Sequence, residues 1–229
     1  MTSETARSAV LRQVFFFQGL DDQQLHQVAA LLKDVRYQRG AIIVHQGDPG
    51  GCLYLIVAGR VRIYLAHPDG REVTVRVYGK GAFFGEFSVI DAAPRSASVA
   101  ALDDVLLLVL YRSDLMDVLQ NNFQLVQHLL TILTERLRYT TQYSEQLAFM
   151  TAPQRVAATL LQLATAIVPD PSAPIRLELT QHELATLTNT TREWVNRSLR
   201  DFAAQQLVQV ERGSVSILDQ NGLRRLLDG

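Results

Sequence analysis

Five residues in the middle of the chain have types and spacing that suit a phosphate ligand: Gly81, Gly85, Glu86, Arg95 and Ser96. Glycine allows tight backbone turns and leaves amide N–H groups unobstructed. Amide donors, a hydroxyl and a guanidinium that grips two oxygens at once together favour a phosphate. A carboxylate would repel that phosphate, so we expect Glu86 to face hydroxyl groups elsewhere on the same ligand, such as those of a ribose. The alternative is a hairpin with a Glu–Arg ion pair and no ligand.

A second group of polar residues follows Thr191 and comprises Arg192, Glu193 and Arg197. Each arginine could donate two hydrogen bonds to guanine O6 and N7, and Glu193 could accept one from cytosine N4. Acidic residues rarely line a surface that binds only phosphates, so a glutamate between arginines favours base reading. The alternative is a solvated helix with an ion pair between Glu193 and Arg197, four residues apart.

The elements that must position the first group have the pattern of short strands. From Val35 to Leu110 the hydrophobic period is two, and glycines punctuate it at Gly40, Gly47, Gly59 and the dipeptide Asp69-Gly70. The predicted strands are 41–44, 53–57, 60–65, 72–78 and 105–110, preceded by a helix over 20–32. Strands at this spacing favour a closed barrel or a sandwich.

One long helical run is predicted from Ser113 to the residues before Pro153. Residues that are apolar except for Thr140 and Ser144 recur along it in steps of four and three, and we call this series the heptad seam: Leu119, Phe123, Val126, Leu130, Leu133, Leu137, Thr140, Ser144 and Leu147. Such a seam calls for a partner helix, most simply the same helix of a second subunit. The alternative is a helix of the chain's own core.

The residues after Pro153 predict a second domain, with Ala152-Pro153 as a hinge. A helix over 154–168, a proline cluster over 169–174 and a strand over 175–179 come first. Two short helices over 181–187 and 191–200 then follow, joined by a tight turn, which is typical of a helix-turn-helix. A hairpin of strands over 207–211 and 215–218 forms a wing, and a helix over 221–227 closes the domain.

Composition narrows the classes of function. The 229 residues carry a net charge of −1 and a pI of about 6.5, so any nucleic-acid contact must come from a local basic patch. The single cysteine, Cys52, excludes an internal disulfide and a cysteine-ligated iron–sulfur cluster, and no histidines have metal-like spacing. No nucleophile–base pair or nucleotide-hydrolysing motif indicates an enzyme. The apolar stretch 14–17 is too short for a signal peptide, and no run could cross a bilayer, so we expect a cytoplasmic protein without a membrane partner.

Phe84-Gly-Glu-Phe followed by Pro94-Arg-Ser-Ala-Ser-Val resembles the phosphate-binding cassette of cyclic-nucleotide-binding domains, especially in the cyclic AMP receptor protein superfamily of bacterial transcription regulators. The pattern Arg-Glu-x-Val-x-Arg after Thr191 is similar to the recognition helix of the same superfamily. The resemblance covers nearly the whole chain. It implies an α+β fold with a jelly-roll-like β-roll over 1–112, a dimerisation helix over 113–150 and a winged helix-turn-helix over 151–229.

The resemblance also implies a ligand and its site. In that superfamily the glutamate takes the ribose 2′-hydroxyl, and the arginine and serine hold the cyclic phosphate. Thr140 and Thr141 would read the base, or alternatively only fix the register of the seam, and Arg136 would support Glu86. The predicted ligand-binding residues are Phe84, Gly85, Glu86, Phe87, Arg95, Ser96, Ala97, Arg136, Thr140 and Thr141. The implied effector is cyclic AMP, with no metal, haem or iron–sulfur cluster.

For DNA, the resemblance implies a palindromic double-stranded site and a homodimer, whose recognition helices lie about 34 Å apart. The predicted DNA-binding residues are Thr180, Gln181, Thr190, Thr191, Arg192, Glu193, Asn196, Arg197 and Arg200. Trp194 and Asn196 depart from the residues most common at their positions. RNA polymerase is a candidate further partner, on which the sequence is silent. The sequence therefore predicts a homodimeric regulator of transcription controlled by cyclic AMP; the alternative is a regulator of the same fold that responds to another ligand or to none.

Overall fold

The computed structural model describes residues 4–68, 72–165 and 174–227, and the chain divides into two compact units, Met1–Arg138 and Tyr139–Gly229. The predicted α+β fold, with an N-terminal β-roll and a C-terminal winged helix-turn-helix, is confirmed. The predicted turn at Asp69-Gly70 and all but the last residue of the proline cluster over 169–174 lie outside the described residues. The predicted domain boundaries after residues 112 and 150 stay predictions.

The first unit opens with two helices, α1 (Glu4–Arg12) and α2 (Asp22–Leu31), separated by a short 3-10 turn at Phe15–Phe17. The sequence predicted α2 but not α1. At the start of α2 the Asp21 carboxylate accepts a hydrogen bond from the Gln24 amide at 2.8 Å, and the Gln24 side chain accepts one from the Asp21 amide at 3.0 Å. This capping box satisfies backbone donors that would otherwise lack a partner.

Eight strands form two antiparallel four-stranded sheets. They are β1 (Lys33–Tyr37), β2 (Ile42–Val44), β3 (Cys52–Ala58), β4 (Val61–Ala66), β5 (Glu72–Tyr78), β6 (Phe83–Phe84), β7 (Ser98–Ala101) and β8 (Val105–Tyr111). The sheet orders are β1-β8-β3-β6 and β2-β7-β4-β5. All five predicted strands are present, while β1, β6 and β7 were not predicted. The core between the elements is apolar, and strand β8 contributes Leu107, Leu108 and Leu110, each at most 1% exposed.

The long helical run predicted after Ser113 is wrong as a single helix, because the structure divides it into α4 (Arg112–Gln120) and α5 (Phe123–Phe149). Two asparagines occupy the break. The Asn121 side chain donates to the Asp117 carbonyl at 2.7 Å, and the Asn122 side chain accepts from the Leu125 amide at 3.2 Å. These side chains satisfy the backbone groups at the two helix ends, which is why the break forms there.

The heptad seam is divided between two environments in the first unit. Leu119 and Leu133 pack against the unit's own core, as the intramolecular alternative required. In contrast, Phe123, Leu130 and Leu137 are 73%, 58% and 68% exposed. These three residues are spaced by seven and form one apolar line along α5.

The second unit contains α6 (Ala152–Thr165), β9 (Ile175–Leu177), α7 (Gln181–Thr188), α8 (Arg192–Ala204), β10 (Val208–Glu211), β11 (Ser214–Ile217) and α9 (Gln220–Arg225), with sheet order β10-β11-β9. The predicted hinge at Ala152-Pro153 is displaced, since both residues lie in the first turn of α6 and the break falls at Met150-Thr151. Proline suits a first helical turn, where its missing N–H has no partner to lose. Leu160, Leu184, Val195 and Leu223 are fully buried and hold the helices together.

Candidate functional site

The first predicted site begins at a turn that only glycine fits. Gly85 has φ +88°, and a Cβ there would lie 2.4 Å from Arg95 Nη1 and 3.0 Å from the Cys52 carbonyl oxygen. The chain then continues as a short helix, α3 (Glu86–Asp91), with Gly85 at its N-cap. The sequence indicated the tight turn at Gly85 but not the helix that follows it. The left-handed turn at Gly85 lets strand β6 lead directly into the helix.

Arg95 is held at both its backbone and its side chain. Its amide donates to the Asp48 carbonyl at 2.8 Å, and its carbonyl accepts from the Gly47 amide at 2.8 Å. The guanidinium donates from Nη1 to the Gly85 carbonyl at 3.0 Å and from Nη2 to the Cys52 carbonyl at 2.9 Å. Arg95 is only 5% exposed. Carbonyl oxygens therefore fix the guanidinium in place without neutralising it.

The charge of Arg95 has no counterion in the parts of the chain that the structure describes, and its buried Nε has no hydrogen-bond acceptor there. A buried ion without a partner is costly, since desolvation is not offset by attraction to an opposite charge. A bound anion would remove that cost. The geometry therefore prepares Arg95 for a negatively charged ligand.

Glu86 is 2% exposed and pairs through Oε1 with Arg136 Nη1. Arg136 also donates from Nη2 to the Phe83 carbonyl at 2.6 Å and lies over the rings of Tyr78 and Phe83. The second carboxylate oxygen, Glu86 Oε2, is buried and accepts no hydrogen bond from any described residue. The ion pair that would have argued against a ligand, Glu86 with Arg95, is therefore replaced by Glu86 with Arg136. A carboxylate oxygen is left for a hydroxyl donor.

Two residues of strand β3 contribute to this site and were not predicted. Cys52 supplies the carbonyl that Arg95 binds, and its Sγ lies 3.4 Å from Arg95 Nη2. The ring of Tyr54 stacks on Phe84 at 4.9 Å and lies 5.6 Å from the Arg95 guanidinium. Burial, followed by the hydrogen bond with Cys52, raises the pKa of Tyr54, so its phenol stays neutral beside Arg95. No sequence signal marks these contacts, because they depend on the pairing of β3 with β6.

The other predicted ligand-binding residues differ in exposure. Phe84 is buried in the stack with Tyr54, Phe87 is 45% exposed, Ser96 is exposed and Ala97 is half-buried. Thr140 and Thr141 are exposed on α5 and belong to the second unit. The structure thus brings Gly85, Glu86, Arg95 and Arg136 together. A role in ligand binding stays a prediction for every residue of this set.

The second predicted site is built on α7 and α8. Thr180 accepts from the Glu183 amide at 3.1 Å while Glu183 accepts from the Thr180 amide at 2.6 Å, which is the predicted capping box. Asn189 ends α7 in the left-handed conformation at φ 46°, and Thr191 then caps α8 by accepting from the Trp194 amide at 3.3 Å. The tight turn between the helices is therefore fixed by local side chains.

Five of the predicted DNA-binding residues lie on the outer, solvent-facing side of α8, whose Val195 and Leu199 are buried: Arg192, Glu193, Asn196, Arg197 and Arg200. Thr180 and Gln181 lie at the start of α7, and Thr190 and Thr191 come just before α8. Thr180, Thr191, Arg192, Glu193, Arg197 and Arg200 are exposed, and Gln181, Thr190 and Asn196 are half-buried. Within the described residues, Arg192, Arg197 and Arg200 donate no hydrogen bond to protein. Their donors face solvent. Their contacts with DNA stay predictions.

The ion pair considered between Glu193 and Arg197 is not formed in the described structure. Hydrogen bonding to its own backbone amide, then to the Thr191 hydroxyl, lowers the pKa of Glu193. Arg197 instead lies with its guanidinium carbon 5.5 Å from the centre of the Trp194 ring. Sequence reasoning named Trp194 only as a departure from the common pattern.

The described residues contain no group of three or more histidine, cysteine or carboxylate side chains that could hold a metal ion. None of their helices combines the length and hydropathy that crossing a bilayer requires.

Comparison with known proteins identifies one family domain around the first predicted site and another around the second. Residues 34–122 match the cyclic nucleotide-binding domain, and residues 154–226 match the Crp-like helix-turn-helix domain. The chain is 34% identical over 218 residues to a CRP-like cAMP-activated global transcriptional regulator of Mycobacterium tuberculosis, covering 94% of this chain and 97% of that protein. It is 33% identical over 213 residues to the cyclic AMP receptor protein of Thermus thermophilus, covering 93% and 96%.

A solved structure of the c-di-GMP responsive global regulator CLP of Xanthomonas campestris is also similar. It matches with a TM-score of 0.75 and 25% identity, covering 87% of this chain and 100% of that one. The printed names of these similar regulators therefore mention two different cyclic nucleotides, cyclic AMP and cyclic di-GMP.

Proposed function

Because the chain belongs to the CRP-like family of DNA-binding transcription regulators with a cyclic nucleotide-binding domain, we propose that it is a homodimeric, sequence-specific regulator whose effector is cyclic AMP. The family consists of transcription regulators and not of enzymes. The names of the two relatives at 34% and 33% identity support cyclic AMP as the effector. Since its target is DNA, we place its action in the cytoplasm, and contact with RNA polymerase belongs to the same proposal.

Two observations carry the proposal: among the described residues, the buried guanidinium of Arg95 has no counterion, and the buried Glu86 Oε2 accepts no hydrogen bond. Arg136 neutralises Glu86, so the charge left over at the site is the single positive charge of Arg95. A cyclic mononucleotide carries one negative charge on its phosphate and so balances it. Its ribose 2′-hydroxyl supplies the donor that Glu86 Oε2 lacks. A cyclic dinucleotide has two phosphates and would leave one charge unbalanced.

We assign the cyclic phosphate to Arg95 and Ser96, with the backbone at Gly85 and Ala97, and the ribose to Glu86 supported by Arg136. Phe84 and Phe87 flank the turn, and Thr140 and Thr141 are the residues assigned to the base. The DNA contacts are assigned to the outer face of α8, with Thr180, Gln181 and Thr190 on phosphates. Coupling between ligand and DNA would be worth about 1–3 kcal/mol.

The homodimer is supported by the apolar line of Phe123, Leu130 and Leu137 on α5. Large apolar side chains at a spacing of seven gain stability when a second helix covers them. Leu137→Glu would place a charge in that contact, so we expect a monomer by analytical ultracentrifugation. Leu31→Glu, at a leucine that is 37% exposed outside the line, serves as the matched control and stays dimeric. A dimeric Leu137→Glu protein would assign the apolar line to another role.

Calorimetric titration of the whole chain with cyclic AMP, cyclic GMP and cyclic di-GMP tests the effector. We expect cyclic AMP to bind most tightly, with one molecule per chain, and to increase the affinity for a palindromic DNA site. Tighter binding of cyclic di-GMP would contradict the charge balance around Arg95. DNA binding that no nucleotide changes would favour the alternative, a regulator that acts without a ligand.

A further inference from the structure

The outer face of α8 carries the only tryptophan of the chain, Trp194, and its side chain is 44% exposed. Its backbone is fixed on both sides. The amide donates to Thr191 Oγ1 at 3.3 Å, and the carbonyl accepts from the buried Ser198 hydroxyl at 2.8 Å. A fixed backbone gives the indole a defined place on the helix surface, where it buries little area against the unit's own core.

What the indole contacts is Arg197, whose guanidinium carbon lies 5.5 Å from the ring centre. Residues three apart share a helix face, and side chains lean toward the helix N-terminus, so Arg197 leans back over Trp194. A cation within about 6 Å of a tryptophan ring is attracted by the negative face of the ring. This attraction therefore favours one position for the long and flexible side chain of Arg197.

Arg197 has no competing partner within the described part of α8. The carboxylate four residues before it, Glu193, forms no ion pair with it, and Arg197 forms no hydrogen bond to a described residue. An aromatic face holds a guanidinium through its charge and its plane, whereas a carboxylate would occupy its N–H groups. The donors of Arg197 therefore remain available for a base.

We propose that Trp194 is a positioning residue for DNA reading, whose ring holds the guanidinium of Arg197 ready for two hydrogen bonds to one guanine. The inference rests on the proposed function, since it requires Arg197 to meet a base. A side chain that is ordered before binding loses less conformational entropy on binding. DNA that covers the pair also removes water from it, which strengthens the attraction of the cation to the ring.

The test is a comparison of base preferences. The full-length protein with cyclic AMP selects from a library of randomised palindromic DNA, and the base pair that loses its preference in Arg197→Ala identifies the position read by Arg197. We expect Trp194→Ala to reduce the preference at that same position by about two- to thirtyfold, which is the range for a cation over an aromatic ring that is exposed or desolvated. Trp194→Phe keeps a ring and should recover part of the preference.

The double variant Trp194→Ala/Arg197→Ala separates positioning from a contact that Trp194 makes itself. If Trp194 acts through Arg197, the second substitution adds no further loss at that position. A full additional loss, or a loss spread evenly over all positions, overturns the inference. Preserved unfolding curves in Trp194→Phe exclude misfolding as the cause of its changes.

Fluorescence gives a readout that does not need DNA, because Trp194 is the only tryptophan. Removing the charge in Arg197→Ala should change the indole emission of the free protein, whereas Arg200→Ala, at an exposed arginine with no aromatic partner among the described residues, should not. Unchanged emission in Arg197→Ala means that the pair does not form in solution and overturns the inference.

The DNA selection separates this inference from the proposed function. Wild-type protein without any sequence preference overturns the proposed base reading itself. Preference retained in wild type and in both Trp194 variants overturns only the role of Trp194.

Discussion

Two arginines of this chain, Arg95 and Arg197, lie in contrasting environments. Arg95 is 5% exposed and is clamped by two backbone carbonyls, whereas Arg197 is exposed and lies over an indole. In both cases the structure orders the guanidinium without neutralising it. The protein thus keeps the donors of the same cation available in two different ways.

The difference lies in what surrounding water does to the charge. Around Arg95 little solvent is present, so the missing counterion is costly and one small anion can recover a large free energy. Around Arg197 water and salt screen the charge, so a single contact contributes little and affinity must come from many phosphates along the DNA. The two sites should therefore respond differently to salt and to the loss of one arginine.

Salt should separate the two sites most strongly. Raising potassium chloride from about 50 mM to about 200 mM should weaken DNA binding about a thousandfold, because counterions are released from each neutralised phosphate. Cyclic AMP binding should change less than about threefold, since buried charges are poorly screened. DNA anisotropy and nucleotide calorimetry over the same series measure both. An equally steep fall for cyclic AMP would mean that its phosphate is bound at the surface.

The loss of Arg95 should have the next largest effect. Arg95→Ala removes the proposed partner of the cyclic phosphate and should weaken cyclic AMP binding by about 3 kcal/mol, or more than about a hundredfold. Arg60 is a matched control in the same β-roll, because it pairs with Asp103 through an exposed contact at 2.7 Å. Arg60→Ala should leave the calorimetric affinity unchanged. Equal affinities for the two variants would show that Arg95 does not bind the ligand.

The sequence could predict those parts of the two sites whose signals lie within a few residues of each other. The glycine at the turn, the period-two strands and the capping box at Thr180 depend on residues a few positions apart. The break between α4 and α5 also had a local signal, the pair Asn121-Asn122, but the long apolar spacing concealed it. Strand β1 has the polar sequence Lys33–Tyr37 and forms only because β8 pairs with it.

The contacts that order the arginines were less predictable. The clamp on Arg95 uses carbonyls of Gly85 and Cys52, and every residue has a carbonyl, so side-chain types give no signal for it. The pair of Trp194 with Arg197 was within reach of a helical spacing rule. Glu193 has an equally suitable spacing to Arg197, but the described residues form no ion pair there, and spacing alone could not choose between the two partners.

At the DNA site the loss of one arginine should be smaller and specific. Arg192→Ala should cost about 1–3 kcal/mol per half-site and relax the preference at one base pair, because it removes two hydrogen bonds to a guanine. Binding to a DNA series with every single base change measures this. Thr180→Ala, at a predicted phosphate contact, is the comparison and should weaken all sequences alike. A uniform loss in Arg192→Ala would assign Arg192 to the phosphate backbone as well.

The smallest expected effect concerns the stability of α8, the helix that carries the exposed arginines. Thr191→Ala removes the cap of α8 and should lower the free energy of unfolding of the second unit by about 1 kcal/mol. Urea unfolding followed by the emission of Trp194 reports on this unit. Thr186→Ala is the control, because the Thr186 hydroxyl bonds to the His182 carbonyl within α7 and alanine favours a helix interior. A loss in Thr186→Ala as large as that in Thr191→Ala would mean that capping does not hold the recognition helix.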